Sequence, residues 1–154
     1  MTSPPNVRSE YQMSVEVTTD RARLDVAMIH RFLSKESYWA RDISLPDVEN
    51  GIANSLCFGV YVDNTQVGFA RVISDFVRFA HVLDVFVVKE HRGSGYGKLL
   101  MKNILSHPAL SSVSRFSLGT ADAHGLYAQF GFTTPTKPET LMELIRPRAD
   151  GSGT

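Results

Sequence analysis

Cysteine is almost missing from the chain. Cys57 stands alone, which excludes an internal disulfide, and no Cys/His cluster has the spacing of metal ligands. Neither sign of charge is in excess, with 16 Lys and Arg against 16 Asp and Glu, and like charges never run together for about five residues. That balance excludes a basic arm or an acidic tail and argues against nucleic acid as a partner. Long apolar runs are absent too: no window approaches the ~20 residues of a membrane-spanning helix. Residues 1–11 are polar and proline-containing where a secretion signal would be apolar. The expectation is a soluble protein in a reducing, cytoplasmic setting, with no membrane and no metal.

What is present is of ordinary globular character, 43% hydrophobic and 21% charged over 154 residues, enough for one domain with its own core. Residues 1–12 read as a flexible N-terminus, 13–146 as the domain, and 147–154 as a polar, glycine-bearing tail. Alternation around Val15 and Val17 gives a strand over 13–18. An amphipathic helix follows over 21–34, capped by Thr18, Thr19 or Asp20, with Leu24, Ala27, Met28, Phe32 and Leu33 on one face. Pro46 suits the first turn of a second helix ending near Asn54. Strands are expected over 56–62 and 67–74, joined by a turn at Asp63-Asn64-Thr65-Gln66, and over 79–88. A helix over 98–105, a strand over 115–119, a short helix over 122–130 stopped by Gly131, and a last strand over 141–145 complete the order β-α-α-β-β-β-α-β-α-β.

One segment stands out. Between the third strand of the central group and its helix lies Arg92-Gly93-Ser94-Gly95-Tyr96-Gly97-Lys98. A glycine-rich turn leading into a helix exposes several backbone N–H groups at the positive end of the helix dipole, an arrangement that holds phosphate oxygens. The same spacing also serves simply to reverse a chain. A P-loop would need Ser or Thr after Lys98, where Leu99 stands, and a dinucleotide-binding fold would need early βαβ order. Neither fits.

The segment Val85-Phe86-Val87-Val88-Lys89-Glu90-His91-Arg92-Gly93-Ser94-Gly95-Tyr96-Gly97-Lys98-Leu99-Leu100 resembles the acetyl-CoA signature of the GNAT N-acetyltransferase superfamily, with Arg92, Gly95 and Gly97 as its Arg-x-x-Gly-x-Gly element. About thirty residues downstream, Leu126-Tyr127-Ala128-Gln129-Phe130-Gly131-Phe132 matches the second signature, Leu-Tyr-x-x-x-Gly-Phe. The resemblance spans 15–145, and its signatures fall within 84–132. It implies a single-domain α/β (α+β) fold, with a mixed, mostly antiparallel sheet of about six to seven strands flanked by about four helices.

The resemblance also implies a chemistry. Acetyl-CoA would be the acyl donor and a small-molecule amine the acceptor, meeting in a ternary complex; assembly is left open, a homodimer included. Backbone groups of Val85, Phe86, Val87 and Val88 would bind the pantetheine arm and stabilise the oxyanion. The N–H groups of Gly93, Ser94, Gly95, Tyr96, Gly97 and Lys98 would take the pyrophosphate, with Arg92 and Lys98 adding charge. Tyr127 aligns with the tyrosine that protonates the departing thiolate in many relatives. An amine arrives as an ammonium ion and must lose a proton, for which Asp84 is the first candidate, ahead of His81, His124 or water. On a regular strand Asp84 and His81 would face opposite ways, unless a bulge intervened. Asp122 reads as the cap of the short helix. The acceptor is expected near His30, Phe32, Ser37, Tyr38 and Trp39, with Tyr38, Trp39 and His81 as candidate substrate contacts and Asp75, Phe76 and Arg78 near the mouth. Cys57, within an apolar strand, reads as a buried inert thiol. A CoA-sensing module without transfer and a peptide or protein N-acetyltransferase are the competing readings.

Overall fold

The computed structural model describes residues 13–148; the expected flexible ends, 1–12 and all of 147–154 beyond Arg148, lie outside the described residues. Five strands form one sheet in the order of the chain: β1 (Val15–Thr18), β2 (Leu56–Val62), β3 (Thr65–Ser74), β4 (Phe79–Val87) and β5 (Arg115–Leu118). The first four are antiparallel and β5 joins parallel to β4. A parallel neighbour requires a crossover, which α3 (Tyr96–Ser106) supplies. The other helices are α1 (Val26–Arg31), α2 (Leu45–Ala53) and α4 (His124–Ala128).

Local chemistry explains most boundaries. The Ser44 hydroxyl accepts from the Asp47 N–H and Pro46 lies in the first turn of α2. Asp63 and Asn64 both take positive φ, 48° and 67°, the requirement of the tight turn that matches strand twist in a hairpin. The expected first helix is instead divided. Asp20 caps a 3-10 turn at Arg21–Arg23, the chain extends at Leu24, and Asp25 caps α1 afresh. The break is tertiary in origin: the Asp25 N–H donates to the side-chain carbonyl of buried Gln66 at 2.7 Å. After Arg31 the helix widens into a π turn, Phe32–Glu36, closed by the Ser37 N–H donating to the Phe32 carbonyl.

The sheet separates two apolar layers. Val60, Val72, Val82, Leu100, Ile104 and Tyr127 pack on the α3/α4 side; Ile29, Leu33, Val48, Phe69 and Phe86 pack on the α1/α2 side. Phe32 belongs to the second layer, stacked on Phe86 with centroids 3.9 Å apart and planes 8° from parallel.

Two expectations need correction. Among the described residues the sheet has five strands, not six to seven, and residues 141–145 form no strand: alternation supplied an apolar segment, but a strand exists only where a neighbour takes its backbone hydrogen bonds. Nor is β4 regular. Phe69 faces Phe86 and Arg71 faces Leu83, so two steps along β3 match three along β4. The extra residue falls at Asp84, whose φ is 55°. This bulge turns Asp84 onto the α1/α2 face, the face His81 occupies.

Candidate active site

The glycine-rich turn is open. Gly93 and Gly95 have φ of 84° and 81°, and a Cβ at either would meet nothing within 4 Å. The first helical bond of α3 is Leu99 N–H to the Gly95 carbonyl. Among the described residues, the N–H groups of residues 93–98 therefore have no acceptor, leaving a concentrated set of donors at the positive end of an 11-residue helix. Gly97 has a packing role as well, since a Cβ there would lie 3.7 Å from Leu126, where α3 meets α4. Arg92 folds back to donate from Nε to the Val87 carbonyl at 3.0 Å, which ties the turn to the end of β4. Both backbone groups of Val88 are engaged: its N–H donates to the Val67 carbonyl and its carbonyl accepts from His91.

Pairing between β4 and β5 ends at Val82 and Leu118. Beyond that point residues 83–87 have β3 on one side and no strand on the other among the described residues. The opening places Val85 and Val87 against the α3/α4 layer and Phe86 against the α1/α2 layer.

At the bulge the Asp84 carboxylate is gripped twice. Arg71 Nε donates to Oδ2 at 2.9 Å and Trp39 Nε1 donates to Oδ1 at 2.9 Å. Arg71 is held in turn by Ser55, whose hydroxyl accepts from Nη1 at 2.9 Å. Both charged side chains are largely buried, 17% and 11% exposed, the setting in which an unpaired charge is costly. Asp84 and Arg71 line a small pocket with Ile29, Leu33, Ile43 and Gly51, between the first two helices and the sheet.

Just after the π turn, Tyr38 and Trp39 stand edge to face with centroids 5.0 Å apart. While Trp39 reaches Asp84, the Tyr38 hydroxyl accepts from the Ala121 N–H at 3.0 Å, so the pair bridges β4 and the loop after β5. Tyr127 is buried and lies edge-on to Phe132. Burial, helped by the nearby Tyr38 phenol and the Asp122 carboxylate, pushes its hydroxyl pKa upward; the phenol stays protonated. His81 shares a 2.7 Å hydrogen bond between Nδ1 and the Ser117 hydroxyl. Burial and the Arg71 charge push its pKa down, so the imidazole is neutral at neutral pH.

The structure thus brings Trp39, Asp84 and Arg71 together, with Tyr38 edge-on to Trp39. The other expected acceptor contacts are structural. His30 Nε2 bonds with the Ile43 carbonyl, and the Ser37 hydroxyl donates to Leu33 and accepts from Ala40. Asp75 organises the β3–β4 turn: its carboxylate accepts from the N–H groups of Val77, Arg78 and Phe79, which lowers its pKa to about 2. Asp122 is not the cap of α4. The Thr120 hydroxyl accepts from the Ala123 N–H there, and His124 is exposed in the first turn. Cys57 is buried and its thiol is pushed up to about 11, chiefly by burial, the inert thiol expected. Arg71 was missed by sequence reasoning. Its signal was available: a lone cation inside the apolar strand Val67-Gly68-Phe69-Ala70-Arg71-Val72-Ile73 has to find a buried partner.

The model of the acetyltransferase (GNAT) family matches residues 26–132. A solved GNAT-family protein from Xanthomonas campestris pv. campestris is 54% identical, covering 87% of this chain and 94% of that one with a TM-score of 0.84. A Gibberella zeae protein whose name places it among the acetyltransferases is 30% identical over 122 residues, 66% of this chain and 67% of that protein. A structure from Clostridium acetobutylicum, solved with acetyl-CoA, is 15% identical at a TM-score of 0.61, covering 87% of this chain and 96% of its own, and shares the fold.

Proposed function

Because the chain belongs to the GNAT acetyltransferase family, we propose that it moves an acetyl group from acetyl-CoA to the primary amine of a small molecule, by direct attack in a ternary complex. The observation that carries this reading is the succession along one strand and its turn of a carboxylate at a bulge, Asp84, an unpaired strand edge at 83–87, and a set of free N–H groups at 93–98. The acetyl-CoA-bound Clostridium acetobutylicum structure of the same fold supports the donor.

Acetyl-CoA supplies an activated thioester. The N–H groups of Gly93, Ser94, Gly95, Tyr96, Gly97 and Lys98 hold its pyrophosphate, and backbone groups of Val85, Phe86 and Val87 align the pantetheine arm and meet the charge that develops on the acyl oxygen. Asp84 draws the ammonium form of the acceptor to the bulge, and Trp39 and Tyr38 enclose it with aromatic faces. Tyr127, kept protonated by burial, donates to the sulfur as it leaves. The aromatic pair beside Asp84 favours a compact acceptor over a peptide, which would need an open groove.

Proton removal has two candidates. Asp84 keeps a free lone pair on each oxygen beyond its bonds to Arg71 and Trp39, and is the first reading. His81, neutral and on the same face, is the second reading for the proton acceptor, with Asp84 then holding the ammonium alone.

The test is to incubate the protein with acetyl-CoA and a panel of amines, polyamines, amino acids and peptides while following release of free thiol. Turnover on a small amine is the expected result. CoA binding without turnover on any acceptor would favour a sensor, and turnover confined to peptides would favour a protein N-acetyltransferase.

A further inference from the structure

The layer of α1 and α2 covers only part of its face of the sheet. It takes in Phe69 and Phe86 and goes no further along β3 and β4. Val72, Ala80 and Val82 belong to the α3/α4 layer, so alternation turns Ile73, Phe79 and His81 to the α1/α2 face, where Leu83 also stands opposite Arg71. None of these four joins the layer on that face. Ile73 and Phe79 are 45% and 43% exposed. An apolar strip left open beside a candidate site marks surface that a ligand covers.

The strip carries opposite charges at its two ends. At one end is the Asp84 carboxylate, bonded to Trp39. At the other, Arg115 lies beside Phe79 in the register of β4 and β5, and with Arg78 on the β3–β4 turn it lines a cleft of about 340 Å³ that Asp75, Phe79 and Ser114 complete. Among the described residues neither guanidinium has a carboxylate partner. The carboxylate of Asp75 is committed to the turn, where one oxygen accepts from three backbone N–H groups. A guanidinium offers its donors as a planar fork that fits the oxygens of a carboxylate or a phosphate. Two of them in one cleft make an oxyanion site.

We propose that the acceptor amine carries an oxyanion group at its far end, held by Arg78 and Arg115 while Asp84 holds its ammonium and the strip of Ile73, Phe79 and Leu83 lies along its apolar body. The assignment rests on the transfer reading above and on Asp84 as the ammonium site. From Phe79 to Asp84 the strand advances about 15 Å, and side chains shorten that span from both ends. The two charges of the acceptor are therefore several bonds apart, as in an ω-amino acid, and not on one carbon as in an α-amino acid. Because the strip ends at the β3–β4 turn, it suits a molecule of fixed length rather than a running peptide chain.

The experiment uses the full chain with acetyl-CoA and compares 6-aminohexanoate and 5-aminopentyl phosphate with hexylamine in the thiol-release assay. For at least one of the anionic amines kcat/KM should exceed that of hexylamine by about tenfold or more. In Arg78→Gln/Arg115→Gln that ratio should fall to about one; measured within one preparation, it is insensitive to a loss of folded protein. Arg115→Glu should reverse the order and favour 1,6-diaminohexane over 6-aminohexanoate, an outcome that a merely structural arginine would not give. Binding is read separately from the fluorescence of Trp39, the one tryptophan of the chain. Equal turnover of hexylamine and both anionic amines, or a preference that survives the double glutamine variant, overturns the proposal and leaves acetyl transfer standing. If no amine is turned over, the transfer reading fails by itself, and the Trp39 titration decides the two-ended site: tighter binding of an anionic amine, lost in the double variant, upholds it, and equal binding overturns it.

Discussion

Arg71 on β3 grips Asp84 on β4, Nε to Oδ2 at 2.9 Å, at a residue of β4 held in the left-handed region with φ of 55°. The pair and the bulge support one another. Without the extra residue the carboxylate would point into the apolar α3/α4 layer, and without the carboxylate Arg71 would be a largely buried cation with only the Ser55 hydroxyl for company. Strain of this kind persists where surrounding contacts over-determine it. Here they also set a charge in the small pocket between the first two helices and the sheet.

Asp84→Asn should therefore cost in two currencies that can be read separately. Breaking a buried pair leaves Arg71 uncompensated, and a stability loss of about 3 kcal/mol is expected in urea denaturation. In the thiol-release assay kcat/KM for the amine should fall by about 100-fold or more, while affinity for CoA is kept. Asp84→Gly tolerates the positive φ, so it separates the backbone from the charge: the same loss of activity is expected with less backbone strain. Near-normal amine turnover in both variants would remove Asp84 from the site.

Tyr127→Phe should lower kcat by about 10- to 100-fold with little change in KM for acetyl-CoA, since proton donation acts in the transition state and the ring continues to pack. The folded protein should keep its thermal midpoint. Burial holds the phenol pKa above its ordinary value, so an alkaline loss of rate from Tyr127 begins above about pH 10. Wild-type turnover in the variant would end the proton-donor role.

The pH profile discriminates the two proton acceptors. His81 has a lowered pKa, first from burial and then from the Arg71 charge, so protonation requires a pH below the ordinary histidine value of about 6.5. If His81 takes the amine's proton, the acidic limb of kcat/KM lies below that value and disappears in His81→Gln. If Asp84 does, the limb survives the substitution. Stability has the same sign: the contribution tied to neutral His81 is complete above about pH 6.5 and is lost as pH falls through the lowered folded-state pKa. His81→Gln should flatten the dependence of the denaturation midpoint over that range.

Gly95 separates conformation from charge at the cradle. With φ of 81° it resists any side chain, yet a Cβ there meets no neighbour. Gly95→Ala should cost about 1 kcal/mol of stability with a modest loss of CoA affinity by calorimetry. Gly95→Asp adds an anion facing the pyrophosphate site, and its affinity should fall at least a further tenfold, partly restored at high salt. Equal affinities in Ala, Asp and wild-type proteins would place the pyrophosphate elsewhere.

Much of this was legible in local sequence because local physics governs it. The hairpin turn at Asp63 and Asn64, Ser44 and Pro46 at the start of α2, and the glycines leading into α3 each act within a few residues. A β-rich apolar run located β2 to its observed ends, and the Leu126 to Phe132 signature marked a tyrosine that proves to be buried. At the start of α4 the expected cap, Asp122, makes no capping bond, and the Thr120 hydroxyl takes the Ala123 N–H just before the helix.

The sequence by itself determined the element order from β1 to α4, a glycine-rich turn between β4 and α3, and Asp84 and Tyr127 as groups worth testing. Tertiary structure alone decided what surrounds them. Gln66 breaks the first helix from 41 residues away, a bulge turns Asp84 onto the face of His81, and Arg71 and Trp39 arrive from 13 and 45 residues off to hold it. Such contacts leave no periodic trace, because a single hydrogen bond between distant residues alters neither hydropathy nor spacing. The fate of 141–145 follows the same reasoning: alternation can announce a strand, but only a neighbouring backbone can make one.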